Sequence, residues 1–75
     1  ETSLTKNEMI IFRYLLKNRG RIVSRDELMT VLWNNQEYIN DNALTVNISR
    51  LRGKLAEFGY VDVICTRKGL GYILL

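Results

Sequence analysis

The sequence has no histidine, no proline, one cysteine and no long apolar run. Each absence excludes something. Without histidine the chain lacks the usual general base near neutral pH. With Cys65 as the only thiol it also has no plausible zinc-ligand set, so neither metal nor cofactor is expected. A lone cysteine closes no internal disulfide, which fits a reducing compartment, the cytoplasm. A membrane span needs about 20 consecutive apolar residues, and none of the apolar stretches comes near that. No signal-peptide pattern opens the chain. The missing proline leaves punctuation to glycines and capping residues.

What is present is a globular composition, 47% hydrophobic and 25% charged, in 75 residues. That suffices for one small domain over 1–75, with a thin core. The net charge is +3, and its placement says more than its sum. From Met9 to Arg25 the chain carries Arg13, Lys17, Arg19, Arg21 and Arg25 with no acid. From Asn42 to Ala56 it carries Arg50, Arg52 and Lys54, again with no acid. Glu8, Asp26, Glu27 and Asp41 fall instead near expected helix starts, where the dipole favours them. Local positive fields of this kind attract a polyanion.

Three helices are predicted. The first, over about 5–19, opens on a Thr5/Glu8 capping box and carries an apolar stripe of Met9, Phe12 and Leu16 beside Ile11 and Leu15. Arg21-Ile22-Val23 reads as a short strand, 21–23. Ser24 and Glu27 form a second capping box, opening a helix over 25–33 that buries Leu28, Met29 and Leu32. Asn34 to Asn40 has loop composition, with Tyr38 and Ile39 expected to pin it to the core. The third helix, over 41–58, is the clearest, because Leu44, Ile48, Leu51, Leu55 and Phe58 recur at alternating spacings of four and three. Val61 to Thr66 is apolar and β-branched, Arg67 to Gly71 is a turn, and Tyr72 to Leu75 is apolar again, a β-hairpin over 61–75. Three helices followed by a hairpin is an α+β order, that of a winged helix-turn-helix.

Opposite the apolar seam of the third helix lie Asn42, Val46, Ser49, Arg50 and Gly53. Thr45 and Arg52 fall on one flank, Asn47 and Lys54 on the other. After Asp41 this face has no acid, and its Asn, Thr, Ser and Arg carry donors and acceptors that suit base edges or phosphates. Val46, apolar in its midst, suits a thymine methyl. From the residues alone, a reading face and a plain basic face stand at even odds. The hairpin turn places Arg67 and Lys68 beside two glycines. Alone it is a solvated turn, but beside a basic polar helix it is placed to reach a minor groove. Trp33 and Tyr72 read first as packing residues with a polar tip, and Cys65 as an inert buried thiol.

Leu4-Thr5-Lys6-Asn7-Glu8, Val23-Ser24-Arg25-Asp26-Glu27-Leu28 running to Leu32-Trp33, Asp41-Asn42, Val46 through Leu55, and Thr66-Arg67-Lys68-Gly69-Leu70-Gly71-Tyr72 resemble the OmpR/PhoB family. These are the DNA-binding effector domains of bacterial two-component response regulators. The resemblance covers nearly the whole chain. It implies that the third helix enters the major groove, with the positions of Ala43, Thr45, Val46 and Arg50 facing bases; Asn47 and Lys54 on the flank complete the expected major-groove set. It implies backbone contacts from Arg25, Trp33, Asn42, Ser49, Arg52, Thr66 and Tyr72, and a minor-groove wing at Lys68 with Arg67 beside it. The loop containing Asn35, Gln36, Glu37 and Tyr38 matches a segment facing RNA polymerase. Implied partners are double-stranded DNA on direct repeats, bound as a dimer, together with a receiver domain and a sensor kinase. The Asp41 to Asn47 wording is similar to a subgroup linked to cell-envelope and antimicrobial-peptide stress.

The sequence departs from the family pattern in places. Asn42 and Ser49 stand where some relatives carry arginine, and Ile73 replaces a frequent basic residue. No four-stranded sheet and no receiver domain precede Leu4, so a piece of a longer protein is expected. Residues and resemblance together predict a sequence-specific regulator of transcription that is not an enzyme. The alternative is a winged helix that docks on protein; it calls for mixed charge and apolar anchors on the third helix, and the acid-free face opposes it. A hydrolase needs a nucleophile–base pair for which no histidine is available.

Overall fold

The computed structural model describes residues 3–75 and contains α1 (Lys6–Lys17), α2 (Arg25–Asn34), α3 (Asp41–Glu57), β1 (Ile64–Arg67) and β2 (Gly71–Leu74). Each helix starts where a side-chain oxygen satisfies an orphan amide. Thr5 and Glu8 exchange bonds at 3.2 and 2.9 Å, a complete capping box. Ser24 and Glu27 do the same for α2. Asn40 caps α3 through Oδ1, which accepts from the Ala43 amide at 2.8 Å.

The first helix ends at Lys17, short of Arg19. The Asn18 amide side chain bonds back to the Tyr14 carbonyl at 2.8 Å, and Gly20 takes a φ of +84°, so the chain leaves the helical path there. The expected strand at 21–23 shrinks to one bridging residue. Val23 exchanges both backbone bonds with Tyr72, at 2.7 and 2.9 Å, but the next residue is the α2 cap and cannot extend the ladder. Strand pairing in the hairpin begins at Ile64 rather than at residue 61, because Asp62 sits at φ +59°, outside strand geometry.

Three helices and the hairpin enclose one core: Ile11, Leu15, Val23, Leu28, Leu32, Leu44, Ile48, Leu51, Leu55, Ile64, Tyr72 and Leu74, all buried. Of the expected apolar arc on α1, Ile11 and Leu15 are buried and Phe12 packs partly against the core. Glu8, Ile11 and Leu15 point inward, while Met9 and Leu16 are exposed. Phe58, the last member of the α3 seam, is also exposed, because it is the cap residue beyond the final turn. The Cys65 thiol is only partly buried and lies against the Asp62 carbonyl.

Candidate nucleic-acid interface

With Leu44, Ile48, Leu51 and Leu55 fixed in the core, the 3.6-residue period leaves the opposite side of α3 to solvent. Asn42, Thr45, Val46, Ser49, Arg50 and Gly53 are all exposed there. Ala43 and Asn47 are partly covered, and the Asn47 amide donates to the Ala43 carbonyl at 2.8 Å. Among the described residues no hydrogen bond or ion pair occupies the side chains of Arg50, Arg67 or Lys68. Arg67 closes β1 opposite Gly71, and Lys68 stands at the turn, which Gly69 makes possible at φ +76°. Leu70 beside them is exposed.

The hairpin is tied to the helices through Tyr72 and two arginines. The Tyr72 hydroxyl accepts from Arg25 Nη1 at 2.6 Å, and the Arg25 and Arg52 guanidinium groups both approach its ring, at 5.9 and 5.8 Å from the centroid. Arg52 donates to the Ile64 carbonyl at 3.1 Å and to the Thr66 hydroxyl. Arg25 donates further to the Asp41 carbonyl at 2.7 Å and the Thr45 hydroxyl at 3.0 Å, and pairs with the Asp41 carboxylate at 3.3 Å. The one acid at the start of α3 is thereby matched by a cation. These links hold the helix face and the hairpin turn in one fixed relation.

Lys54 does not join this face. Its ammonium donates to Glu8 Oε1 at 2.6 Å and to the Ser3 carbonyl at 2.9 Å, so its flank of α3 turns toward α1. Lys54, expected in the major-groove set, has its ammonium held by a buried carboxylate in this structure.

The loop after α2 is ordered by its own contacts. Trp33 and Tyr38 are both exposed and pack edge to face at 4.4 Å and 72°. Tyr38 therefore rests on Trp33 rather than in the core, and Ile39 alone packs against the core. Glu37 pairs with Lys6 at 2.9 Å, Asn35 donates to the Val31 carbonyl at 2.8 Å, and Gln36 turns the chain at φ +63°.

Sequence reasoning missed two things: the capture of Lys54 by Glu8, and the way Arg25 holds Thr45 and Tyr72 together. Both are contacts between distant residues. Only the pairing of Glu8 with Lys54 left a trace, in that Glu8 continues the Ile11 and Leu15 spacing.

Fold and surface together define a winged helix-turn-helix whose exposed helix face and hairpin turn are basic and polar. The chain belongs to the family described as "Transcriptional regulatory protein, C terminal", which matches residues 1–74. It is 49% identical over 70 residues to the response regulator protein GraR of Staphylococcus saprophyticus, covering 93% of this chain and 31% of that protein. The chain thus spans about a third of the length of the curated relatives it matches. Among solved structures it is similar to the C-terminal domain of the nisin resistance regulator NsrR, a lantibiotic response regulator. There the TM-score is 0.89 and the identity 38%, over 97% of this chain and 74% of that one. It is also similar to the DNA-binding domain of the response regulator AdeR in complex with an intercistronic region. That match has a TM-score of 0.79 and 28% identity, over 96% of this chain and 74% of that one.

Proposed function

We propose that this chain is the effector domain of a two-component response regulator and binds double-stranded DNA sequence-specifically to regulate transcription. The observation that carries the reading is the exposed surface free of acid from Asn42 to Gly53, adjoined by a hairpin turn with two cations whose side chains pair with none of the described residues. In this reading α3 lies in the major groove, with Ala43, Thr45, Val46, Asn47 and Arg50 toward the bases. Trp33, Asn42, Ser49, Arg52, Thr66 and the edge of Tyr72 lie along the phosphates, and Arg67 and Lys68 enter the adjacent minor groove. Phosphate contacts supply most of the affinity, and the helix face supplies the choice of sequence.

The wider reading follows from the same family. Two copies bind head to tail on direct repeats, a receiver domain phosphorylated by a sensor kinase promotes their pairing, and the protein works in the cytoplasm without enzymatic activity of its own. The loop with Asn35, Gln36, Glu37 and Tyr38 faces RNA polymerase; its exposed Tyr38 and its position between α2 and α3 support this. Likeness to a nisin resistance regulator supports a signal from antimicrobial-peptide or envelope stress.

Selection from a pool of random duplexes tests the reading. Enrichment of one motif, with affinity that falls as salt rises, is the expected result. A pool that stays random after repeated rounds overturns it.

A further inference from the structure

The resemblance gives Arg25 a phosphate contact, but its geometry points to another task. We propose that Arg25 is a positioning residue that fixes Thr45 as a hydrogen-bond acceptor only, so that the base edge opposite Thr45 carries an amino group, adenine N6 or cytosine N4. This deepens the DNA-binding reading and rests on it.

A guanidinium has five N–H donors. In Arg25, Nη1 reaches the Tyr72 hydroxyl at 2.6 Å, Nη2 reaches the Asp41 carbonyl at 2.7 Å and Thr45 Oγ1 at 3.0 Å, and Nε faces Asp41 Oδ1 at 3.4 Å. Its charge is matched by the Asp41 carboxylate at 3.3 Å. Such a group has little left to offer a phosphate. The side chains of Arg50, Arg67 and Lys68, by contrast, have no partner among the described residues.

The consequence falls on Thr45. A hydroxyl has one proton and two lone pairs. One lone pair accepts from Arg25, and the proton is donated to the Asp41 carbonyl at 3.3 Å, one helical turn back. What remains for an incoming base is one lone pair and the γ-methyl. Thr45 is exposed and lies near the N-terminus of α3, the part of a recognition helix that reaches base edges. In the major groove the amino groups of adenine and cytosine are donors, whereas guanine O6 and N7 and thymine O4 are acceptors. An acceptor-only Thr45 discriminates between these two sets.

The test compares selection from a random duplex pool for the intact chain, Thr45→Val and Arg25→Lys, with salt titrations on the selected duplex. Thr45→Val keeps the shape and the methyl and alters an exposed residue, so the fold is retained. It is expected to lose about three- to tenfold in preference for the amino-bearing base at one position, with the other positions unchanged. Arg25→Lys keeps the charge but cannot hold the fork of bonds, and is expected to relax the same position with an unchanged salt slope. Thr45→Val with its base preference intact overturns the proposal. So does Arg25→Lys with wild-type selectivity, the behaviour of a phosphate contact. A wild-type chain that enriches no motif overturns the DNA-binding reading itself, and is distinguishable from either of these.

Discussion

Glu8 and Lys54, 46 residues apart in sequence, meet at 2.6 Å inside the protein and join the first turn of α1 to the flank of α3. Glu8 is fully buried, and its Oε1 accepts from both the Lys54 ammonium and the Thr5 amide. Burial pushes the carboxyl up, but the Lys54 ammonium and the bonds to Thr5 outweigh it and leave the group below its ordinary value. One acid therefore caps α1 and ties down one flank of α3, whose apolar seam already decides which residues face outward.

Removing Lys54 leaves a buried carboxylate without its cation, a loss of about 3–5 kcal/mol for pairs of this kind. Lys54→Met is expected to lower the free energy of urea unfolding by an amount near that range. The double variant Glu8→Leu with Lys54→Met is expected to recover most of it. A loss below about 1 kcal/mol in the single variant shows that the pair does not tie the helix down.

A second acid makes stability depend on pH. The Arg21 guanidinium, at 2.8 and 3.1 Å, and the Tyr14 hydroxyl, at 2.7 Å, hold the Glu27 carboxyl at about 2. The unfolded chain takes up this proton near the ordinary carboxylate value, while the folded chain resists until much lower pH. The stabilisation is therefore complete above the unfolded value and is lost as pH falls toward 2, and Glu8 acts in the same direction. A third of the Glu27 side chain is open to water, which screens the effect. Melting temperatures at pH 7, 4 and 3 are expected to fall less steeply for Glu27→Gln than for the unaltered chain. Equal slopes would assign the proton elsewhere.

Two glycines give opposite expectations. At Gly71, φ is +144° and an added Cβ lies 2.1 Å from the Val23 carbonyl, where the hairpin crosses the bridging residue. Gly71→Ala is expected to cost more than about 3 kcal/mol, because it strains the backbone and separates Val23 from Tyr72. At Gly53 an added Cβ meets nothing within 4 Å. Gly53→Ala is expected to stabilise the chain by up to about 1 kcal/mol while weakening DNA binding, since its methyl stands on the outward face of α3. Denaturation and binding isotherms of both variants check this. A Gly53→Ala variant that is more stable and binds as before removes this position from the interface.

Arg50 and Lys68 separate base reading from charge. Arg50→Ala is expected to cost about 1–3 kcal/mol on the selected site and much less on random duplex, with preference relaxed at one base pair. Lys68→Ala is expected to make the slope of log K against log salt shallower by about one unit, most of all beside A·T-rich flanks with a narrow minor groove. Equal losses for Arg50→Ala on both duplexes make it a phosphate contact. Parallel slopes for Lys68→Ala return it to a solvated turn.

The features legible in the sequence were those set by neighbours along the chain. The capping boxes at Thr5 and Ser24 lie within one helical turn, and the α3 seam from Leu44 to Leu55 repeats without interruption. Residues on the outward face followed by subtraction. What escaped depended on residues distant in sequence. Met9 looked like part of the apolar stripe, and Glu8 like a cap alone, because nothing local announces that a cation from α3 allows Glu8 to be buried. Lys54 looked like part of a basic face for the same reason. Arg25 was expected only as a backbone contact, because Asp41, Thr45 and Tyr72 converge on it only after α2, α3 and the hairpin have packed.

The central claim is that one surface, the outward side of α3 with the hairpin turn, meets DNA. Titrating a random-sequence duplex into ¹⁵N-labelled protein at low salt and following the amide chemical shifts tests it most directly. The expected result is a set of shifts concentrated at 42–53 and 66–70, reversed by added salt, with Phe58, Tyr60 and Leu75, which line an apolar groove with Leu4, Phe12 and Leu16, unmoved. Shifts centred on that apolar groove, or none that respond to salt, contradict the account.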